Sequence, residues 1–287
     1  MRNQNTLQNH SQTKKTKSSF LSSNPVMRRL DKVDERADDR AATYGGIAMK
    51  TIYFLLFTVV GIFVQLITAK HFATGETFDI NYEGFQVSLY MSETMMLIGA
   101  VIAAIVFQLL AFFARATTPV TGALYCVTQG YFISFLIFKV LGAYDLEYLG
   151  ALALLITMLI ILIMAILYAT GVIRVTKKFK MVILTLFITV IATSVFSFIG
   201  YLIPFTRPMV EAIRQNFALS VAAGVIFIII AALFLICDFD TIDHVVNDKL
   251  PKKYEWQAAF GLSFTVIWLY LKVLDLIITI AGKKNNS

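Results

Sequence analysis

Charge is scarce in this chain, and so are the residues that punctuate or staple a soluble fold. Only 15% of its 287 residues are Asp, Glu, Lys or Arg, against about a quarter in ordinary soluble domains. Five prolines and fifteen glycines are too few for collagen or a low-complexity linker. The two cysteines, Cys126 and Cys237, both lie inside apolar runs, which excludes a disulfide framework. The three histidines (His10, His71 and His244) are scattered, and zinc spacing needs them clustered. Neither a His-Glu-x-x-His string nor a phosphate-cradling Gly-rich loop occurs, and no Ser or Cys stands in a nucleophile's setting. We therefore expect no catalytic residues, no metal and no cofactor, and no enzyme activity.

What the chain does have is apolar bulk. It is 58% hydrophobic, with 24 phenylalanines and 12 tyrosines, and its mean hydropathy is +0.73. That places it among polytopic membrane proteins, with the lipid bilayer as its solvent. The net charge of +7 does not imply nucleic-acid binding, because ten of the 25 Lys/Arg residues fall in the first 50 positions. The excess is a basic tail, not a basic groove. Residues 1–45 are polar and lack the apolar middle of a signal peptide. They read as a disordered cytoplasmic tail that anionic lipid can hold, and residues 46–287 as a seven-helix membrane domain.

Seven runs are long enough to cross a hydrocarbon core, which takes about 20 helical residues: 51–69, 95–114, 119–138, 148–169, 181–203, 217–237 and 258–282. If the N-terminus is cytoplasmic, the inner segments carry 18 Lys/Arg and the outer ones five. The positive-inside rule then puts the N-terminus in the cytoplasm and the C-terminus outside. Gly99 with Ala103, and Ala100 with Ala104, predict close helix packing in the second span. The third opens at Pro119 and is the most polar, with Thr121, Tyr125, Thr128, Gln129, Tyr131 and Ser134. These side chains bond to other helices or line a pore.

Ionisable groups in hydrocarbon are the strongest functional lead, because each costs a few kcal/mol unless paired or hydrated. Asp238, Asp240 and Asp243 stand where the sixth span ends, and Lys272 and Asp275 stand within the seventh. Glu93 precedes the second span and reads as an interfacial residue at a helix N-terminus. At about 100° per residue, Asp240 and Asp243 share a side while Asp238 points nearly opposite Asp240. Asp238 is the deepest of the three and is expected at a helix C-terminus, where the macrodipole disfavours negative charge. It is either a buried switch facing the bundle or a plain interfacial cap. Lys272 and Asp275, three residues apart, are either a local neutral pair or a gate that also engages Asp238.

Several strings together resemble the bacterial branch of the Bax inhibitor (YccA-like) membrane family. They are Ser22-Ser-Asn-Pro-Val-Met-Arg-Arg29, Pro119-Val-Thr-Gly-Ala-Leu-Tyr125 with Gln129-Gly130, and Thr170-Gly-Val-Ile-Arg-Val-Thr176 with Phe179. Asp238-Phe-Asp240, Glu255-Trp-Gln-Ala-Ala-Phe-Gly-Leu262 and Trp268-Leu-Tyr-Leu271 complete the set. The resemblance implies six helices around a central seventh, an all-α fold. It also implies a pH-sensitive leak of calcium, or of protons, across the bacterial plasma membrane, or else a non-conducting regulator of a membrane-protein partner such as a membrane protease. In leak-type relatives an aspartate on the sixth helix and one on the seventh close the pore together. Asp238 matches the first. The second follows a Leu-Tyr-Leu-like string, where this chain has Lys272, with Asp275 one turn further on as the alternative acid. The gate expected from the resemblance is thus Asp238 with Lys272 and Asp275, with Asp240, Asp243 and Gln129 as secondary candidates.

Overall fold

A computed structural model describes residues 41–285 except 73, 74, 84 and 174. The expected tail, up to residue 40, lies outside the described residues, as does the Ser22–Arg29 string. The rest is an all-α bundle with one small β-hairpin. Its helices are α1 (Tyr44–His71), α2 (Met91–Phe113), α3 (Thr118–Ser134), α4 (Tyr148–Ala169), α5 (Lys177–Leu202), the short α6 (Arg207–Gln215), α7 (Phe217–Asn247) and α8 (Tyr254–Asn285). All but α6 are long and apolar enough to cross a membrane, α3 together with the helical turns that flank it (Arg115–Tyr144), so the chain is a multi-pass membrane protein. The hairpin joins α1 to α2 and marks one end of the bundle. The α7–α8 turn marks the other.

Helix α4 has the bounds the apolar run predicts. Others overrun theirs, because a helix ends where its backbone partners end and not where hydrocarbon does. Thr43 caps α1, its hydroxyl accepting the Gly46 N–H at 3.0 Å, which starts the helix seven residues before the run at 51. Helix α7 continues ten residues past Cys237. Asp238 therefore sits mid-helix, and the dipole argument attached to it does not apply.

Helices α3 and α8 are the most buried. The last helix packs on α1, α3, α4 and α7, the central place expected of it, while α5 is almost wholly exposed at the edge. In the second span Ala104 is buried and α2 packs on α3, whereas Gly99 is exposed. A Cβ on Gly99 would meet open space. A close crossing built on glycine lies between α1 and α3, where a Cβ on Gly61 would lie 2.1 Å from the Val127 carbonyl oxygen. One on Gly130 would lie 1.9 Å from that of Thr58. Only glycine fits at this crossing. Beside it the Ser134 hydroxyl donates to Gln65 Oε1 at 2.8 Å, buried between the same two helices.

The hairpin pairs β1 (Thr77–Tyr82) with β2 (Phe85–Tyr90), register Tyr82↔Phe85, around a two-residue turn. Glu83 takes φ +48° there, the left-handed conformation that tight hairpin turns require. Alternation does the rest: Phe85, Val87 and Leu89 are buried while Gln86 and Ser88 face out. The Tyr144 hydroxyl accepts the Gln86 N–H at 3.0 Å and donates to the Gln86 carbonyl at 3.2 Å, which blunts one edge of the ribbon.

Candidate functional site

Helices α7 and α8 run antiparallel, and three contacts fix their register. A Cβ on Gly261 would lie 3.8 Å from Asp238 Oδ1, Lys272 Nζ lies 5.2 Å from the Phe227 ring centroid, and a Cβ on Gly224 would lie 3.0 Å from Leu276 Cδ1. Asp238 thus faces Gly261, with Thr265 one turn further along α8 beside its carboxyl. The Thr265 hydroxyl donates to the Gly261 carbonyl at 3.2 Å. The second oxygen of Asp238, Oδ2, is buried with no hydrogen-bond partner. Asp238 as a whole is half-buried, but a buried oxygen left unserved is costly.

The other two aspartates on α7 point elsewhere, as about 100° per residue requires. Asp240 turns to α5 and pairs with Lys180 at 2.5 Å, with His244 3.7 Å away. Asp243 accepts the Tyr44 hydroxyl at 2.9 Å and the Tyr168 hydroxyl at 2.5 Å, joining the start of α1 to the end of α4. Both are half-buried and partnered. Neither simply faces water.

The expected gate is not assembled. Lys272 is eleven residues beyond Gly261 along α8, roughly 16 Å at about 1.5 Å per residue. Among the described residues it meets no carboxylate, and the Phe227 ring is its cation–π partner. Asp275 is further still from Asp238. It makes no ion pair with Lys272, and instead accepts the Tyr82 hydroxyl of β1 at 3.1 Å. The expected pairing of Lys272 with Asp238 or Asp275 is corrected accordingly: antiparallel register separates the first pair, and the hairpin takes Asp275. Gln129 is half-buried on α3 and joins neither group.

Two ion pairs lie outside that expectation. At the hairpin end Glu93 accepts the Tyr90 N–H at 3.2 Å and pairs with Lys139 at 2.9 Å. Lys139 belongs to a π-helical turn, Phe135–Leu141, that ends the third span, and it also lies 5.6 Å over the Tyr90 ring. At the turn end Glu255, fully buried, pairs with Lys50. It also accepts the Thr43 N–H at 2.9 Å and the Thr43 hydroxyl at 3.3 Å. Lys50 in turn lies 5.1 Å over the Trp256 ring. The signal for Glu255 is a lone acid just ahead of an apolar run, three residues after Lys252 and Lys253 begin a basic turn. It is easily read as interfacial.

Neither the comparison with curated proteins nor that with solved structures finds a match. The family model described as Bax inhibitor 1 like matches residues 6–282, nearly the whole chain and all seven long helices. This chain belongs to the Bax inhibitor 1 like family.

Proposed function

We propose that the protein is a pH-sensitive leak for calcium across the bacterial plasma membrane, with its N-terminus in the cytoplasm and its C-terminus outside. The observation that carries this reading is the Asp238 carboxyl, half-buried where α7 faces α8, with its Oδ2 buried and unpartnered. A carboxyl in that position cannot change its charge independently of the seam. Protonated, it is neutral and tolerates closure. Ionised, it needs water or a cation beside it, so its ionisation favours a wetted, open seam. The groups beside it are Thr265 from α8 and Cys237, its neighbour on its own helix. Neither is a second acid across the seam, so Asp238 acts as a single switch and not as half of a pair.

The 18-to-5 division of Lys and Arg supports the orientation; in it Asp238 lies in the cytoplasmic half of the bundle and the hairpin outside. The test is calcium flux into liposomes holding the pure protein, from about pH 5 to about pH 8. Flux should exceed that of empty liposomes and rise as the pH is raised, because ionisation opens the seam. Asp238→Asn should flatten the dependence while the protein stays folded. No flux at any pH would favour the other function class, a non-conducting regulator that binds a membrane protein such as a protease.

A further inference from the structure

We infer that Glu255 is a positioning residue, holding the first turns of α8 on α1 so that Thr265 stays seated over Asp238. The inference rests on the leak reading only for what Asp238 does. The clasp itself is a matter of contacts. Glu255 has no exposed surface, and its carboxylate meets three donors from one stretch of α1: the Thr43 N–H, the Thr43 hydroxyl and the Lys50 ammonium. Gly46 completes the seat, since a Cβ there would stand 2.3 Å from Glu255 Oε1. The backbone on either side is tied as well: the Ala42 N–H donates to the Leu250 carbonyl at 2.8 Å, and Ala41 bridges Pro251. The start of α1 is thus fastened to the first turn of α8 and to the turn before it.

Geometry links this clasp to the seam. Glu255 and Thr265 share α8 ten residues apart, roughly 15 Å of continuous helix, so the inner end of α8 cannot swing from α7 without pulling Glu255 off Lys50. Among the described residues no ion pair ties α7 to α8 at this end. Asp240 and Asp243 of α7 are engaged by α5, α1 and α4. Contact across the seam at Asp238 therefore depends on where Glu255 puts α8.

The test reads the seam without reading conduction. In protein whose Cys126 and Cys237 have been changed to alanine, Thr265→Cys reports whether a water-soluble maleimide reaches the seam, and Ala104→Cys, buried on α2, reports general loosening. With Glu255 intact, both should label slowly in nanodiscs. Glu255→Gln keeps the shape and leaves Lys50 without its counter-charge, and should speed labelling at 265 by at least about tenfold, with position 104 changed less than about twofold. Lys50→Met combined with Glu255→Gln removes both charges and should recover most of the protection. Gly46→Ala, a milder crowding of the same seat, should act in the same direction. Unchanged labelling at 265 in Glu255→Gln would overturn the inference. Equal acceleration at 104 would overturn it too, as that is the mark of a merely structural role. A protein that conducts nothing at any pH yet shows the selective acceleration would sink the leak reading and leave the clasp standing.

Discussion

The two halves of the α7–α8 seam are built on opposite plans. In the turn-side half a carboxyl, Asp238, has one oxygen buried and unserved, and the ion pair that fixes α8 lies elsewhere, at Glu255 and Lys50. In the hairpin-side half the charges are accommodated where they stand: Asp275 accepts the Tyr82 hydroxyl and Lys272 lies on the Phe227 ring. Gly282 lets the hairpin close in, since a Cβ there would stand 1.9 Å from the Glu83 carbonyl oxygen. The contrast teaches where a proton can act. A group whose bonds are complete resists a change of state, whereas a carboxyl with a buried, unserved oxygen is a poised one. Ionisable residues in a membrane span are thus not equivalent leads, and a buried oxygen without a partner separates them better than depth does.

The largest expected effect lies at the clasp. Lys50→Ala leaves Glu255 buried without its counter-ion, and losing one member of a buried pair costs about 3–5 kcal/mol. Thermal unfolding in detergent should show a clearly lower midpoint, with Lys50→Arg close to the natural protein. A Lys50→Ala protein as stable as the parent would mean that Glu255 draws little from the ion pair.

The second effect is on the pH response, and it should divide the halves. Asp238→Asn flattens the dependence of flux on pH, and Asp275→Asn leaves its midpoint in place because Asp275 answers to the hairpin. Thr265→Asp sets a second carboxyl against Asp238. Facing acids cannot both ionise cheaply and titrate as a pair, so the midpoint should move by roughly a unit or more. Equal responses in Asp238→Asn and Asp275→Asn would erase the distinction between the halves.

How much of this was legible in the sequence follows from what kind of signal each feature leaves. The spans were legible, because about 20 apolar residues in a row have few other meanings, and so was the divergence of Asp238 from Asp240, which is helix arithmetic. The hairpin signal was present, in the alternation of Phe78, Ile80 and Tyr82 and then Phe85, Val87 and Leu89 around Glu83-Gly84. It is short, however, and set among polar residues that read as a loop. Helix register left no signal at all. Whether Lys272 or Thr265 faces Asp238 depends on how far α7 runs past the membrane before the chain turns back, and nothing local to either residue encodes that. Glu255 was hidden for a related reason, since its partners are some 205 residues away in sequence.

A smaller effect tests the hairpin half by itself. Tyr82→Phe removes the hydroxyl that Asp275 accepts, and a part-buried hydrogen bond to a charged acceptor contributes about 1.5–3 kcal/mol at most, less where water can substitute. We expect a loss of about 1 kcal/mol in stability, with proteolysis of the hairpin accelerated and the pH dependence of flux intact. A displaced pH response would place Asp275 in the gate after all.

The smallest effect belongs to the residue the family resemblance singles out. Lys272 occupies the position where leak-type relatives are expected to carry their second acid, and Lys272→Asp puts an acid back there. Register argues otherwise. A carboxyl at 272 faces Phe227 and not Asp238, roughly 16 Å from the seam acid along α8, beyond the reach of any shared proton. Lys272→Asp should therefore leave the midpoint of the flux response where it is. Lys272→Met, which removes only the cation over the Phe227 ring, should change stability by no more than about 1–2 kcal/mol. The pair to compare is Lys272→Asp with Thr265→Asp: the same new charge on the same helix, two turns apart. If the first moves the pH response and the second does not, α8 meets α7 in a different register from the one described, and Lys272 is the gate position.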